Sequence, residues 1–556
     1  MLYIPIFRYP RCTVSVLFTP RHHRLGRPYY MPVNSSYTTI TMTTEDIAIR
    51  ARTIAIVGAG PSGVIAAKYL RAEKAFDKIV LFEQRSGPGG IWTYTGDQRD
   101  ENLFSIPQEN PHQGQQNPDW RRKNHISNGV GITNGSNDPH DEPSFLSPMY
   151  EKLETNIPRG LMGFQDLDWP EDSQLFPKHE TVLQYIKEYG RDVQDLVQYE
   201  SQVLNVVPTG PSNTGWLVTS KNIRSKEQRT EEFDAVIVAN GHFIVPYIPN
   251  MPQIKEWTKL HPGRISHSKY YRRPEEFEGK KVIVVGNSAS GSDISNQIAP
   301  YCEQPLLWST RSESLFSKSH GVADHRRQEV RPIARFLPES RGVQFEDGSI
   351  SNDIDAIVFA TGYFYNLPFL EDVEPKLITD GSHVNYTYQH LFYHPRPSLS
   401  FLALNQRVIP FPVAEVQAAV LARVYAGRLP LPSLSTMQAW ESSVEAEMGN
   451  GRNFHLLPFP KDGNYINTMA RWALSADTPN AAGNAAIGKA PPLWGDWEFW
   501  AREHFPKIRQ AFGKLGDDRF RVREVKELGF DFEEFLREKN KGRDEEELVQ
   551  NGETII

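Results

Sequence analysis

The stretch IAIVGAGPSGVIAAKYL, residues 54–70, decides the fold. A short apolar run enters a turn with Gly58, Gly60 and Gly63 in G-x-G-x-x-G spacing, and a helical pattern leaves it. DKIVLFEQR (77–85) then reads as a second strand, so the order is strand, helix, strand. In such a unit the first glycine permits the tight turn, the second lets backbone approach a pyrophosphate, and the third allows close helix–strand packing. Pro61 and Ser62 open the helix, whose free N–H groups and dipole face the phosphates. Glu83, twenty residues after Gly63, ends the second strand. A carboxylate there accepts hydrogen bonds from ribose hydroxyls and repels a 2′-phosphate.

A second copy lies at IVVGNSASGSDI (283–294), introduced by EGKKVIVVG. Gly286 and Gly291 keep the outer places, Ser288 stands where the middle glycine is expected, and Ser290 follows in the helix start. Serine is the smallest tolerable replacement, and its hydroxyl can contact phosphate. Twenty residues past Gly291 stands Arg311, in WSTRS, at the offset that carries Glu83 in the first copy. A guanidinium there clamps a 2′-phosphate through paired N–H groups, with Ser309 and Thr310 as supporting donors. The two cradles therefore read as unlike: a 2′-hydroxyl nucleotide in the first and NADPH in the second. FAD and NADPH on one chain imply hydride transfer from nicotinamide to isoalloxazine.

The class expected is α/β, with two dinucleotide-binding (Rossmann-like) domains. The strand-plus-glycine endings VIVANG and VFATG bracket the second unit. They predict an NADPH domain inserted into an FAD domain, with two crossover strands between them. The boundaries expected are a leader (1–50), a first part of the FAD-binding domain (51–245) with a polar surface insertion at 96–143, and an NADPH-binding domain (246–354). A second part of the FAD-binding domain (355–430) and a C-terminal helical extension (431–556) complete the chain.

Bulk properties remove several classes. A net charge of −7 gives no nucleic-acid footprint. No apolar run approaches the ~20 residues that span a bilayer. Cys12 and Cys302, far apart, exclude a disulfide framework, a CxxC redox pair and a cysteine-based zinc site, and no metal is expected. Without a dithiol relay, reduced flavin must pass electrons to dioxygen or a soluble acceptor. The first 44 residues hold Arg8, Arg11, Arg21, Arg24 and Arg27 and no acid, a composition resembling a mitochondrial transit peptide. The plainer reading is a disordered leader, or a start at Met31 or Met42, on a cytoplasmic protein.

Further motifs follow in order: GGIW (89–92), YEKLETNIPRGLMGFQD (150–166), FPKHETVLQYI (176–186), HPGRISHSKYYR (261–272), FATGY (359–363) and PFPVAEVQ (410–417). With the two cradles, they resemble the flavin-containing monooxygenases, class B flavoproteins that oxygenate nitrogen and sulfur. The resemblance spans roughly residues 52–430. It implies that Ile91 and Trp92 lie beside the flavin, that Thr155 and Asn156 form the family's Thr–Asn pair, and that Gln417 sits near the flavin. In the fingerprint FxGxxxHxxxY, Gly263, His267 and Tyr271 fit, and His261 replaces Phe. The cycle implied is reduction of FAD by NADPH, addition of dioxygen to give a flavin hydroperoxide shielded by NADP⁺, and attack by a soft nucleophile on the distal oxygen.

Such a cycle needs no side-chain nucleophile, in keeping with the lack of a Ser–His–Asp or paired-carboxylate constellation. Asn156 is the candidate catalytic residue, since a carboxamide can bond both cofactors without adding charge. Alone, TNIP reads as a turn with Asn156 as its cap. His267 reads as a linker residue and His179 as a contact at a helix N-terminus. The nearest alternative is a Baeyer–Villiger monooxygenase acting on a ketone, whose fingerprint ends in Trp followed by Pro or Asp where this chain has Tyr271–Arg272. From another class, a non-catalytic FAD-binding interaction protein remains. The partners expected are a small-molecule substrate and dioxygen, with oligomeric state open.

Overall fold

The computed structural model describes residues 46–96, 105–114, 117–122, 132–133, 141–210, 215–311, 325–477 and 488–540. The leader with Cys12, most of the 96–143 insertion, residues 478–487 of the Pro-rich stretch and the C-terminal tail lie outside the described residues.

The apolar run becomes β1 (Thr53–Val57), covered on both faces, which is why its apolar residues run on without alternating. Helix α1 (Pro61–Glu73) returns the chain to β2 (Lys78–Phe82), parallel to β1. On the other side of β1 lies β3 (Ala235–Val238), and the strand Leu399–Phe401 pairs parallel to it. Val197–Gln198 closes one edge, and the antiparallel ribbon Thr387–Tyr388 and Phe392–Tyr393 closes the other. An antiparallel meander, Ser201–Pro208, Trp216–Asn222 and Gln228–Phe233, precedes β3 as its alternating sequence predicts.

From β3 the chain leaves through β4 (Val245–Pro246) and builds a second sheet. This contains β5 (Ile265–His267), β6 (Lys281–Val285), β7 (Glu303–Ser309) after helix α2 (Ala289–Ile298), β8 (Arg327–Val330) and β9 (Ala356–Phe359). All pairings are parallel, in the order β5-β9-β6-β7-β8. The chain returns through β10 (Tyr363–Phe364), which pairs antiparallel with β4. These are the two expected crossover strands. A hairpin turning at Asp347–Gly348 decorates the second domain.

One expected boundary changes. β9 is an interior strand of the second sheet, between β5 and β6, so that domain's chain runs past 354 to the end of β9. The reason is burial: Ile357, Val358 and Phe359 are all inaccessible there, which an apolar strand requires on both faces. The helical extension after 430 packs against the first domain. Ile466, Met469, Ala470 and Ala473 of one C-terminal helix and Trp500 and Ala501 of another join the core of α1 and of helix α3 (Pro410–Tyr425). Their spacing makes an apolar stripe that needs a partner face, and the first domain supplies it.

Candidate functional site

The first cradle forms where β1 ends. A Cβ on Gly58 would stand 2.7 Å from the carbonyl oxygen of Ala239, just past β3, and its φ of +104° suits glycine. Gly60 caps α1 without a side chain, Pro61 takes the first helical place, and Ser62 lies half-buried in the opening turn. Backbone of the GGIW segment closes over this turn: a Cβ on Gly90 would meet the Gly60 Cα at 3.0 Å, and Gly89 N donates to Ala59 O. Ile91 and Trp92 follow in a single 3₁₀ turn, with Trp92 half-buried against the main core. Glu83 lies just beyond β2, 5% exposed. Its Oε2 accepts from Ala59 N and its Oε1 from Arg85 N, each at 2.8 Å. Burial raises the carboxyl pKa, and the backbone donors from Arg85 and Ala59 oppose that rise.

The second cradle repeats the design at the end of β6. A Cβ on Gly286 would stand 2.5 Å from the carbonyl oxygen of Ala360, just past β9. Ser288 caps α2 through its backbone with no side-chain capping bond and is exposed, near the half-buried Ser290. Arg311 follows β7, exposed, with no hydrogen bond or ion pair among the described residues. Ser309 differs from expectation: the residue is 2% exposed and its hydroxyl donates to Arg331 O at 3.1 Å, so it is spent inside the domain.

The two sheets meet at the β4–β10 ribbon, since β3 runs into β4 and β9 into β10 within a few residues. His267 fastens that junction. It is fully buried, its Nε2 bonds Gly362 O at 3.0 Å and its Nδ1 accepts from Lys269 N, and burial pushes its pKa down to about 3. That is a linker's role. His179 is likewise buried at the start of its helix, against Tyr94. Arg272 is buried too, donating to the carbonyls of Met149, Lys269 and Tyr271.

The Thr–Asn pair divides its duties. Thr155 makes the local turn, its hydroxyl donating to Ile157 O at 3.0 Å and its N–H to Pro177 O. Asn156 is half-buried and makes no side-chain hydrogen bond among the described residues, so the cap reading belongs to Thr155. Five residues before the pair, Tyr150 bonds Asp293 of α2, which ties this segment to the second domain. Gln417 of α3 is fully used: Oε1 accepts from Ala403 N, and Nε2 donates to Asn405 Oδ1 and the Tyr465 hydroxyl. It braces the 403–405 loop. His242, four residues past β3, belongs to none of the motifs; it is buried, its Nε2 has no hydrogen-bond partner among the described residues, and burial pushes its pKa down to about 4. The only sequence signal was a histidine directly after the glycine of VIVANG.

Comparison with known proteins fits this geometry. The family model for flavin-binding monooxygenase-like proteins matches residues 138–323 and 328–478, and that for an NAD(P)-binding Rossmann-like domain matches 56–122. The chain belongs to the flavin-containing monooxygenase family. It is 32% identical to flavin-containing monooxygenase FMO GS-OX3 of Arabidopsis thaliana over 76% of this chain and 85% of that protein. It is 30% identical to flavin-containing monooxygenase iboF of Amanita muscaria (strain Koide BX008) over 75% of this chain and 87% of that one. The solved S-allyl-L-cysteine S-oxygenase from Allium sativum superposes with a TM-score of 0.64 at 26% identity, over 90% of this chain and 99% of that one. As a flavin-containing monooxygenase the chain takes FAD and NADPH, and its residues fit them. Two glycine turns admit no Cβ, and a buried carboxylate with lone pairs to spare faces one. Arg311, exposed and without a hydrogen bond or ion pair among the described residues, follows the strand beside the other. Among the described residues, no helix is long and apolar enough to cross a membrane.

Proposed function

We propose that the first cradle holds FAD and the second NADPH, and that the enzyme oxygenates a soft heteroatom, sulfur or nitrogen, in a small substrate. The observation that carries this reading is the opposite charge at one offset: buried Glu83 just past β2 in the first unit, and exposed Arg311, unpaired among the described residues, just past β7 in the second. A carboxylate accepts from a ribose diol, whereas a guanidinium needs the phosphate that distinguishes NADPH from NADH. Sulfur is the first candidate, because the garlic structure that this chain resembles is a cysteine-derivative S-oxygenase.

Bound FAD, reduced by NADPH, supplies the activation of dioxygen. The chain's own residues bind, orient and exclude water. Asn156 offers a neutral carboxamide at the junction of the two domains, with donors and an acceptor free to bond both cofactors. His267 and Arg272 hold the junction closed by bonding backbone carbonyls. Gln417 fixes the 403–405 loop against α3. Asn156, Gln417 and the neutral His267 add no charge there, and the Arg272 guanidinium is engaged by backbone carbonyls.

A screen of NADPH consumption over thioethers, thiols, amines and ketones, scored for oxygenated product, tests the reading. The expected outcome is sulfoxide or N-oxide. Conversion of ketones to esters, with no heteroatom product, would contradict it.

A further inference from the structure

The loop between helices Leu434–Met448 and Lys461–Leu474 carries Arg452 onto the β4–β10 crossover ribbon. The Arg452 guanidinium lies 3.8 Å over the Tyr247 ring and 5.2 Å from the Phe364 ring. These rings flank the crossover ribbon, and Tyr247 N donates to Gly362 O, two residues past the Ala360 carbonyl that crowds Gly286. Arg452 therefore lies against the ribbon that continues from β9, while Arg311 follows β7 in the chain. Burial lowers the Arg452 pKa first, the charge of Arg311 lowers it further, and Tyr247 and Asp380 oppose that.

Neither arginine has a hydrogen bond or ion pair among the described residues. Ring stacking engages the face of a guanidinium and leaves its N–H edges free, and it holds the side chain in place before any ligand arrives. Two converging cations are mutually repulsive until an anion sits between them. A dinucleotide in a Rossmann cradle places its pyrophosphate over the turn and its adenosine ribose toward the next strand.

We propose that Arg452 is a ligand of the pyrophosphate of the nucleotide in the second cradle, opposite Arg311 at its 2′-phosphate. This rests on NADPH occupying that cradle. The C-terminal helices then do more than pack: they supply one wall of the cofactor site.

Calorimetric titration of the FAD-loaded protein with ADP and with adenosine 2′-phosphate tests this. Arg452→Ala weakens ADP by about tenfold or more, the loss expected for charge-assisted bonds, and leaves adenosine 2′-phosphate within about twofold. Arg311→Ala gives the reverse pattern, and Arg452→Lys, which keeps the charge, lies between wild type and Arg452→Ala for ADP. Equal losses of both probes at Arg452→Ala, loss of adenosine 2′-phosphate alone, or no loss would each overturn the proposal. A loss of ADP at Arg452→Ala, with adenosine 2′-phosphate unmoved at Arg311→Ala, supports it and refutes only the 2′-phosphate assignment.

Discussion

Gly63 and Gly58 approach so closely that a Cβ on Gly63 would stand 1.9 Å from the Gly58 carbonyl oxygen, and Gly291 repeats this against Gly286 at 2.1 Å. The obstacle in both cases is backbone, which cannot swing aside as a side chain would. Each third glycine therefore sets the height of its helix above its strand, and with it the depth of the cradle.

Gly63→Ala and Gly291→Ala should thus separate the two cofactors. An extra methyl forced into packed backbone costs about 1–3 kcal/mol, taken here from the cradle geometry. Gly63→Ala is expected to purify without flavin. Gly291→Ala should stay yellow but fail to bleach with NADPH under anaerobic conditions. Absorbance spectra of the purified variants read both.

Arg311→Ala should raise the KM for NADPH far more than that for NADH. Loss of a charge-assisted bond of about 1.5–3 kcal/mol corresponds to roughly a tenfold to hundredfold change in the ratio. Equal losses for the two nucleotides would remove Arg311 from this role.

Asn156→Ala is expected to leave flavin reduction nearly intact and to increase hydrogen peroxide released per NADPH several-fold. The two readouts are a stopped-flow reduction rate and a peroxide assay. Unchanged coupling of NADPH to product would show that the free carboxamide is idle.

Acid should weaken the fold through buried neutral histidines. Burial lowers the pKa of His267 and of His390 to about 3 each, against an unfolded value near 6.5. A base whose pKa is depressed on folding contributes stability that is complete above the unfolded pKa and is lost as pH falls toward the folded one. Between pH 6.5 and 5 each group should cost up to about 2 kcal/mol. Denaturant midpoints at pH 7 and pH 5 measure this, and His267→Gln should shrink the difference. A midpoint that does not move would place these imidazoles in contact with water.

The two cradles were legible because their chemistry is local: glycine spacing, strand order and a charged residue at a fixed offset all lie within short windows of sequence. The family motifs likewise marked the Thr–Asn pair, and the structure separates its members by showing which one makes the turn. Contacts between distant segments were not legible. Nothing in DAIVFATG says which sheet its strand joins, since burial on both faces suits either one. The stripe in KDGNYINTMARWAL shows that a helix needs a partner without naming α3 as that partner. Ser309 read as a donor, and only the placement of Arg331 across the strand shows its hydroxyl already committed. Gln417 is polar at an inward position in either reading, but its three bonds reach residues as distant in sequence as Tyr465.

The most direct test of two unlike nucleotides serving one reaction is an anaerobic titration of the purified protein, followed at the flavin absorbance band and then opened to air in the presence of a thioether. The account predicts bleaching with NADPH at far lower concentration than with NADH, recolouring on oxygen, and sulfoxide formed in step with NADPH consumed. A yellow protein that NADPH does not bleach would contradict it.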